Sequence, residues 1–361
     1  MDKKLKVAIL GATGMVGQRF VTLLSDHPWF EIETLAASPR SAGRTYGEAV
    51  ASRWKMTSPL PEKASEMVVR DVSDVKNVSE NVDFVFSAVD MSKEEIRSIE
   101  DAYAKAETPV VSNNSAHRWT PDVPMVVPEI NPQHYEVIKF QKERLGTKRG
   151  FVAVKPNCSI QSYAPAINAW LEFEPTEVVA TTYQAISGAG KTFADWPEMN
   201  GNIIPFIGGE EEKSEQEPLR LWGKIEDGVI KKATSPVITT QCIRVPVLDG
   251  HTAAVFVNFK RKPTKNELIE RLVGFEGEPQ KLKLPSAPGH FIQYLYEDDR
   301  PQVCLDVDFE GGMGISIGRL RKDLIFDYKF VGLSHNTLRG AAGGAVLSAE
   351  MLVKKGYITA K

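Results

Sequence analysis

The chain is poor in cysteine and histidine, and it has no excess of charge of either sign. Its 361 residues include three cysteines and six histidines, and the formal net charge is −3. Cysteines that are so few and so widely spaced form no disulfide framework, and no pair has the spacing of metal ligands, so we expect no metal site. The near-neutral charge does not indicate a basic surface that would bind nucleic acid or an anionic membrane.

Long apolar runs and a secretory signal are also missing. No apolar stretch reaches the roughly 18 residues of a membrane helix. The N-terminus, Met1 to Leu5, is charged and leads directly into a strand pattern, without a secretory apolar region. We therefore expect a cytoplasmic protein, and the length of the chain favours two domains.

The hydrophobic pattern changes near residue 155. Before it, short apolar runs alternate with helical patterns, which predicts a Rossmann-type, doubly wound parallel sheet. The predicted strands there are Leu5–Leu10, Ile32–Ala37, Met67–Val69, Val82–Phe86, Pro109–Val111, Met125–Val127 and Phe151–Val154. After it, longer alternating strands with few helices predict an α+β unit with a mixed or antiparallel sheet. These strands are Val178–Ile186, Val237–Val245, Thr252–Lys260, Val303–Phe309 and Leu324–Leu333.

The tail, Asn336 to Lys355, is rich in alanine and glycine and predicts one long helix that packs back on the first unit. We predict a dinucleotide-binding domain over residues 1–157, completed by 336–361. A catalytic domain is predicted over residues 158–335.

A glycine-rich turn follows the first predicted strand and opens a helix. Gly11, Gly14 and Gly17 are spaced so that backbone amides can approach a pyrophosphate at the helix N-terminus. A bare structural turn is the alternative. The pattern favours dinucleotide binding because it follows a buried strand.

The end of the second strand bears on the choice of nucleotide. Ser38, Arg40 and Ser41 offer hydroxyls and a guanidinium, which suit a 2′-phosphate and favour NADP over NAD. Glu33 is the competing acidic residue for a ribose hydroxyl, but it precedes the strand end by several residues and is expected to face solvent.

Cys158 lies between a predicted strand and a predicted helix, Ser159 to Phe173, for which Asn157 is a natural N-cap. A helix dipole favours the thiolate, so we expect a thiol pKa below the free value of about 8.5. A buried, inert cysteine is the alternative. A reactive thiol after a dinucleotide domain indicates hydride transfer through a thiohemiacetal and a thioester. Such chemistry needs a base, an oxyanion site and anion clamps.

Candidates for these roles follow along the chain. Gln184 precedes a glycine-rich turn, and a tight turn at Asp249 and Gly250 brings Arg244 and His251 toward one site. His251 is either a general base near neutral pH or a solvated residue. Arg244, within an apolar strand, needs an anionic partner, which is either a substrate carboxylate or a structural salt bridge.

Three other charged residues have two interpretations each. Glu210 and Lys213 follow an apolar run, where they form either a ligand site or a solvated helix start. Arg118 follows a strand end of the first sheet, where open α/β sheets bind ligands, and it either holds a phosphate or lies free in solvent.

Together these segments resemble the aspartate-β-semialdehyde dehydrogenase family, in the branch found in archaea and fungi. The resemblance runs nearly end to end through Gly11–Gln18, Ser38–Arg44, Ser112–Arg118, Lys155–Gln161, Tyr183–Lys191, Asn202–Lys213, Cys242–His251 and Leu333–Gly340. It implies that the second domain also mediates dimerisation, in a homodimer or homotetramer.

The resemblance implies roles for the candidates. Cys158 corresponds to the nucleophile and His251 to the acid/base, Gln184 would orient the acyl group, and Asn157 would polarise the carbonyl or bind phosphate. The implied substrate contacts are Arg244 to the α-carboxylate, Glu210 to the ammonium, and Lys213 with Arg118 to the phosphate. Of the three adjoining glutamates, the spacing to the lysine selects Glu210. The implied NADP contacts are Gly11, Thr13, Gly14, Met15, Val16, Gly17, Ser38, Arg40, Ser41, Ser87, Ser187, Gly188, Asn336 and Thr337.

The implied reaction is the reversible, NADPH-dependent reduction of 4-phospho-L-aspartate to L-aspartate 4-semialdehyde and phosphate, in the biosynthesis of lysine, threonine, methionine and isoleucine. Malonyl-CoA reductase of the same branch is the nearest alternative, and Glu210 and Lys213 argue against it. N-acetyl-glutamyl-phosphate reductase differs in the setting of its cysteine. A non-catalytic NADP-binding sensor is a third alternative.

Overall fold

The computed structural model describes residues 3–361, so the first two residues of the predicted first domain lie outside it. Within this range, the first sheet has six parallel strands in the order β3-β2-β1-β4-β5-β6. Their bounds are β1 (Leu5–Leu10), β2 (Phe30–Ala37), β3 (Arg70–Asp71), β4 (Phe84–Ser87), β5 (Val110–Ser112) and β6 (Val152–Val154). The Rossmann-type, doubly wound sheet predicted from the sequence is confirmed.

Helices connect these strands, as parallel pairing requires. Their bounds are α1 (Met15–Leu24), α2 (Tyr46–Val50), α3 (Glu62–Ser65), α4 (Val75–Glu80), α5 (Lys93–Lys105) and α6 (Ile138–Leu145). Within residues 3–361, no helix combines the length and the apolar character needed to cross a bilayer.

Two predicted strands of the first sheet need correction. Val68 makes only an isolated bridge to Thr45, and the strand predicted at Met67–Val69 begins later, at Arg70. Met125–Val127 is not a strand, because Met125 only bridges to Val154. Prolines on both sides of this run, Pro124 and Pro128, lack the N–H that would extend a ladder.

The second sheet has the order β10-β7-β11-β14-β13-β12. Its strands are β7 (Pro175–Gln184), β10 (Val237–Arg244), β11 (His251–Phe259), β12 (Ile292–Leu295), β13 (Ile315–Lys322) and β14 (Tyr328–Ser334). A separate small hairpin consists of β8 (Lys224–Glu226) and β9 (Val229–Lys231). The outer pairs β10/β7 and β12/β13 are parallel and the inner pairs are antiparallel. The predicted mixed sheet is confirmed.

The strand predicted at Val303–Phe309 is wrong. This run forms a helical turn, α11 (Val303–Asp306), in which Asp306 accepts a hydrogen bond from the Gln302 amide at 2.6 Å and pairs with Arg300. Cys304 is therefore exposed rather than buried in a sheet. The remaining helices before the tail are α7 (Ala164–Ala169), α8 (Glu210–Leu221), α9 (Lys265–Val273) and α10 (Glu278–Lys281).

Two long helices of the prediction are divided. The segment after Cys158 consists of a 3-10 turn at Ser159–Ser162, then α7, then a second 3-10 turn at Leu171–Phe173. The tail contains a π-helical turn, Leu338–Ala342, and α12 (Gly343–Lys354). Buried side chains of α12 share an apolar core with those of β1 and β4. The domain limits at residues 157 and 335 stay a prediction.

Candidate active site

A cleft of about 250 Å³ holds Cys158 and connects the two sheets. Cys158 follows β6, so the thiol lies in the cleft at the carboxyl end of the first sheet. Predicted site residues on the wall of the cleft are Val16, Arg118, Asn157, Cys158, Ser187, Gly188, Glu210, Lys213, Asn336 and Thr337. The fold therefore brings residues from both predicted domains to one place.

His251, at the start of β11, lies beside the thiol. Its Nε2 atom is 3.4 Å from the Cys158 Sγ atom, and its Nδ1 atom accepts a hydrogen bond from the Ala185 amide at 3.1 Å. An amide N–H only donates, so the neutral imidazole carries its proton on Nε2, which faces the sulfur. Ala185 was missed in the sequence because a backbone amide leaves no signal in residue type.

The protonation state of His251 differs from the expectation of a base near neutral pH. Complete burial lowers the pKa of His251 to about 3, and the charge of Arg244 contributes to this effect. Burial therefore favours the neutral imidazole in the free chain, with its Nε2 atom beside the sulfur. The acid/base role of His251 stays a prediction.

The expected low pKa of Cys158 is also wrong for the isolated chain. Desolvation of the sulfur raises the thiol pKa, and the nearby carboxylate of Glu210 raises it further. Only a short 3-10 turn, Ser159–Ser162, follows the sulfur, so little helix dipole acts on it. The charges that lower the thiol pKa are those of Lys155, Arg118 and Arg244.

Asn157 shapes the turn that presents the thiol. Its Oδ1 atom accepts hydrogen bonds from the Ser159 amide at 2.7 Å and from the Ser159 hydroxyl at 2.6 Å. The residue at the N-cap position is Cys158, so the predicted position of the cap is wrong by one residue. The Asn157 Nδ2 atom donates to both carboxylate oxygens of Glu210, at 3.1 and 3.0 Å.

Glu210 is the first residue of α8 and is buried at the cleft. Lys213 donates to it at 2.7 Å, and Gln184 Nε2 lies 3.4 Å from the other oxygen. Burial favours the neutral acid, but Lys213 and Asn157 outweigh this effect and hold the pKa of Glu210 below its usual range. The alternative of a solvated helix start is wrong for this glutamate.

Arg118 is buried and paired, not free in solvent. Its Nη1 atom donates to Glu217 at 2.9 Å, and its Nε atom donates to the Lys155 carbonyl at 3.1 Å. The other oxygen of Glu217 accepts the Asn157 amide at 2.5 Å. Sequence analysis missed Glu217, although its position seven residues after Glu210 puts both on one face of α8.

Arg244 ends β10 directly beside Gln184, the last residue of the neighbouring strand β7. Its Nη1 atom donates to the Ala185 carbonyl at 2.6 Å, and the residue is buried. Within residues 3–361, no carboxylate lies within 4 Å of its guanidinium, so the structural salt bridge is excluded there. A buried guanidinium of this kind is available to an anionic ligand.

Two glycines allow backbone to touch the reactive groups. A Cβ atom added to Gly188 would lie 3.0 Å from Arg244 Nη1 and 3.1 Å from the His251 ring. One added to Gly340 would lie 2.7 Å from the Cys158 Cβ atom. Gly340 lies in the glycine-rich tail, and the residue that it approaches is Cys158.

The predicted nucleotide turn contains glycines of two kinds. Gly11 has a φ of +80°, and a Cβ atom added to it would lie 2.3 Å from the Ala88 carbonyl oxygen. A Cβ atom added to Gly17 would lie 2.2 Å from the Gly11 carbonyl oxygen. Gly14 has no such neighbour, since the nearest atom would be 3.6 Å away. The N-terminus of α1 carries no side-chain cap and no acidic residue in its first turn. The fold needs Gly11 and Gly17, whereas Gly14 leaves open space above free amides.

The end of β2 matches the expected turn. The Ser41 amide donates to the Ser38 carbonyl at 2.9 Å, and Arg40 is exposed. Glu33 lies inside β2 and pairs with Lys6 at 3.2 Å, away from the strand end. The end of β2 therefore presents the exposed Arg40 and the half-buried Ser38, whereas Ser41 is buried and Glu33 lies away from this end.

The cofactor contacts predicted for the second domain and the tail meet in the cleft. Asn336 donates to the Ser187 hydroxyl at 2.7 Å and accepts the Gly250 amide at 2.7 Å, which ties the tail to the turn before His251. Ser87, at the end of β4, is buried and accepts from Asn114 at 3.1 Å. Ser87, Thr13 and Met15 are not among the residues that line the cleft.

Family models match most of the chain. The model described as semialdehyde dehydrogenase, NAD binding domain, matches residues 6–138. The model described as semialdehyde dehydrogenase, dimerisation domain, matches residues 164–339. The order of the two models agrees with the order of the two sheets.

Curated relatives and a solved structure extend this similarity to nearly the whole chain. Aspartate-semialdehyde dehydrogenase of Schizosaccharomyces pombe is 44% identical over 98% of this chain and 99% of its own length. That of Methanothermobacter thermautotrophicus is 42% identical over 96% of this chain and 98% of its own length. The crystal structure of the Candida albicans enzyme with NADP is 38% identical, with a TM-score of 0.88 over 99% of this chain and all of that one. The chain is therefore an oxidoreductase that belongs to the aspartate-semialdehyde dehydrogenase family.

Proposed function

We propose that this chain catalyses the reversible, NADP-linked and phosphate-dependent interconversion of L-aspartate 4-semialdehyde and 4-phospho-L-aspartate. The observation that carries the proposal is the contact between the thiol of Cys158 and the imidazole of His251, near the guanidinium of Arg244, which has no carboxylate partner among residues 3–361. A thiol suits acyl transfer, and a free guanidinium suits the carboxylate of an amino acid.

NADP is the proposed cofactor, and the residues present fit it. The free amides of α1 and the open space at Gly14 suit a pyrophosphate, and Arg40 with Ser38 and Ser41 suits a 2′-phosphate. The same site includes Gly11, Thr13, Met15, Val16, Gly17 and Ser87, with Ser187, Gly188, Asn336 and Thr337 at the nicotinamide end. When bound, NADPH supplies the hydride that reduces the thioester carbon. In this proposal residues 1–157 with 336–361 hold the cofactor, and 158–335 carry catalysis and dimerisation.

Replacing Gly14 by alanine is expected to weaken NADPH binding about tenfold while the melting temperature stays unchanged, because a methyl group there meets the ligand but not the protein. Gly17→Ala is the matched control, and it is expected to lower the melting temperature, because its Cβ atom would overlap the Gly11 carbonyl. Fluorescence titration and thermal unfolding measure the two effects. Unchanged NADPH affinity in Gly14→Ala would contradict the proposed site.

In the biosynthetic direction the Cys158 thiolate attacks C4 of 4-phospho-L-aspartate. The C–S bond forms, the bond from C4 to the phosphate oxygen breaks, and phosphate leaves with that electron pair and takes up a proton from water. His251 is the proposed acid/base, and its Nε2 atom, which faces the sulfur at 3.4 Å, is where the ring exchanges a proton with the thiol. After reduction the C–S bond breaks, its electron pair returns to sulfur, and the thiolate is restored.

The proposed substrate contacts follow from the charges around the thiol. Arg244 grips the α-carboxylate, and Glu210 receives the ammonium within the network that it shares with Lys213 and Asn157. Lys213 and Arg118 hold the phosphate. Gln184, beside Arg244 at the strand ends, orients the acyl group.

This reaction places the enzyme in the biosynthesis of lysine, threonine, methionine and isoleucine. The proposed assembly is a homodimer or homotetramer, supported by the match of the dimerisation-domain model. The free thiols of Cys158, Cys242 and Cys304 fit the reducing cytoplasm.

One assay separates this proposal from its alternatives. NADP reduction is measured with aspartate semialdehyde, with and without phosphate, and with malonate semialdehyde plus CoA. We expect activity only with the first substrate, and only with phosphate, because Glu210 and Lys213 provide for an ammonium and a phosphate. Activity restricted to the second pair would establish a malonyl-CoA reductase, and no turnover with stoichiometric NADPH binding would establish a sensor.

A further inference from the structure

Glu217 is a carboxylate of α8 that contacts two functional segments at once, and neither the sequence nor the proposed reaction gives it a role. Its side chain is fully buried. One oxygen accepts the backbone amide of Asn157 at 2.5 Å, and the other accepts Arg118 Nη1 at 2.9 Å. Burial of a carboxylate is costly unless its oxygens are paired, so these two contacts explain how an acid can occupy this position.

The position of Glu217 is one of three on α8 that face the segment with the thiol. Glu210, Ser214 and Glu217 stand at positions i, i+4 and i+7, which places them on one face of the helix. All three are buried. Glu210 accepts from Asn157 Nδ2 at 3.1 and 3.0 Å, and the Ser214 hydroxyl lies 3.1 Å from the Ser159 hydroxyl. Successive turns of α8 therefore hold the residues on both sides of the thiol.

Arg118 reaches the same carboxylate from the loop after β5. Its Nε atom donates to the Lys155 carbonyl at 3.1 Å, and its Nη2 atom lies 3.5 Å from the Asn113 carbonyl oxygen. A guanidinium carries five N–H donors, and the contacts of Arg118 use no more than three of them. The others are available to a ligand in the cleft that Arg118 lines. Glu217 thus helps to fix the direction in which those donors point.

Only a carboxylate can make both contacts of Glu217. The Asn157 amide and Arg118 Nη1 are both donors, so each needs an acceptor oxygen. Glutamine has the same shape but offers one oxygen and one NH2 group, and an NH2 group that faces an N–H leaves both donors without an acceptor. A glutamine there satisfies the arginine or the amide, not both. The contacts of Glu217 therefore do more than fill space.

We propose that Glu217 is a positioning residue that fixes Arg118 and the backbone before Cys158 relative to each other, so that bound phosphate and the sulfur reach the same acyl carbon. In the NADP-reducing direction, a phosphate oxygen attacks the thioester carbon, the C–O bond forms, and the C–S bond breaks with its electron pair returning to sulfur. Misplacement of the phosphate relative to the thioester slows this step. The inference rests on the proposed function, and it assigns Glu217 no contact with substrate.

Replacing Glu217 by glutamine is expected to raise KM for phosphate about tenfold and to lower kcat about tenfold, because the glutamine satisfies only one of the two donors. KM for aspartate semialdehyde and the Kd of NADPH are expected to stay unchanged, because the proposed carboxylate and cofactor contacts lie on other elements. Steady-state NADP reduction over a range of phosphate concentration measures the effect. A residue that only supports the fold would instead lower the melting temperature and impair all these constants together.

Glu212→Gln, at an exposed position of the same helix, is the matched control and is expected to keep the wild-type constants. Glu217→Asp keeps two acceptor oxygens at a shorter reach and is expected to raise KM for phosphate by less than glutamine does. A wild-type KM for phosphate in Glu217→Gln overturns the inference, and so does an equal rise of KM for phosphate and for the aldehyde. If the glutamine variant does not fold, the aspartate variant is judged by the same criteria, and failure of both to fold overturns the inference in favour of a structural role.

Phosphate binding is also measured without turnover, through the protection of Cys158 from iodoacetamide by inorganic phosphate at constant ionic strength in a Cys304→Ser background. The phosphate concentration for half-protection is expected to be about tenfold higher in Glu217→Gln. This result in an enzyme inactive on aspartate semialdehyde would refute the proposed function and support the role of Glu217. Phosphate-dependent turnover with equal half-protection in variant and wild type would support the function and overturn the inference, as would a wild type that phosphate does not protect.

Discussion

Replacing Cys158 by serine is expected to abolish turnover of aspartate semialdehyde, with a fall in kcat of about 10⁴-fold or more. A serine hydroxyl ionises far less readily than a thiol, so a serine at this position is a much weaker nucleophile toward the acyl carbon. No covalent acyl intermediate would form. The measurement is steady-state NADP reduction at saturating phosphate, with mass spectrometry of the protein for the acyl adduct.

The other cysteines give a matched control. Cys304 is exposed on α11, and Cys304→Ser is expected to keep wild-type kcat. Cys242, buried near Ser214 at 3.7 Å, belongs to the packing of β10, and its replacement is expected to affect stability more than chemistry. Wild-type turnover in Cys158→Ser would refute the thioester mechanism.

Arg244→Lys is expected to lower kcat/KM for aspartate semialdehyde about 100-fold, mainly through a higher KM. Lysine cannot reproduce the two parallel hydrogen bonds of a guanidinium to a carboxylate, and loss of a buried charged contact costs about 2–5 kcal/mol. The variant also loses the hydrogen bond to the Ala185 carbonyl, which is 2.6 Å long in the wild type. Steady-state kinetics over a range of aldehyde concentration measure the effect.

A substrate analogue tests whether the carboxylate is the partner of Arg244. The aldehyde 3-aminopropanal lacks the α-carboxylate, so wild type and Arg244→Lys are expected to use it equally poorly. Arg261→Lys, at an exposed position, is the matched control and is expected to keep wild-type KM. An Arg244→Lys penalty that is the same for both aldehydes would exclude direct contact with the carboxylate.

Elements with strong local periodicity were predicted well from the sequence. The buried run of β1 and the alternation in β10 and β11 fix both the existence and the approximate limits of these strands. The run Val303–Phe309 has a similar composition but forms a helical turn, because Asp306 and Arg300 close it through side chains. A hydrophobicity pattern contains no information about such contacts.

Sequence analysis named side chains that the structure brings near Cys158, among them His251 and Glu210, but it did not predict their electrostatics, and their roles stay predictions. Strand ends and turns identify these residues from local sequence: Cys158 follows β6, Arg244 ends β10, and His251 begins the antiparallel strand β11 after a tight turn. The protonation states depend on groups that are distant in the chain. Glu210 acts on the thiol from 52 residues away, and the Ala185 amide acts on the His251 ring from 66 residues away.

The position of the tail has a consequence for the nascent chain on the ribosome. Side chains of β1, among the first to be synthesised, are covered by α12, among the last, and Gly340 of the tail forms a wall beside Cys158. Until residues 340–354 emerge, an apolar face of the first sheet stays uncovered and is prone to aggregation. The thiol also lacks that wall until then, so catalytic competence arises late in translation, after both sheets have been made.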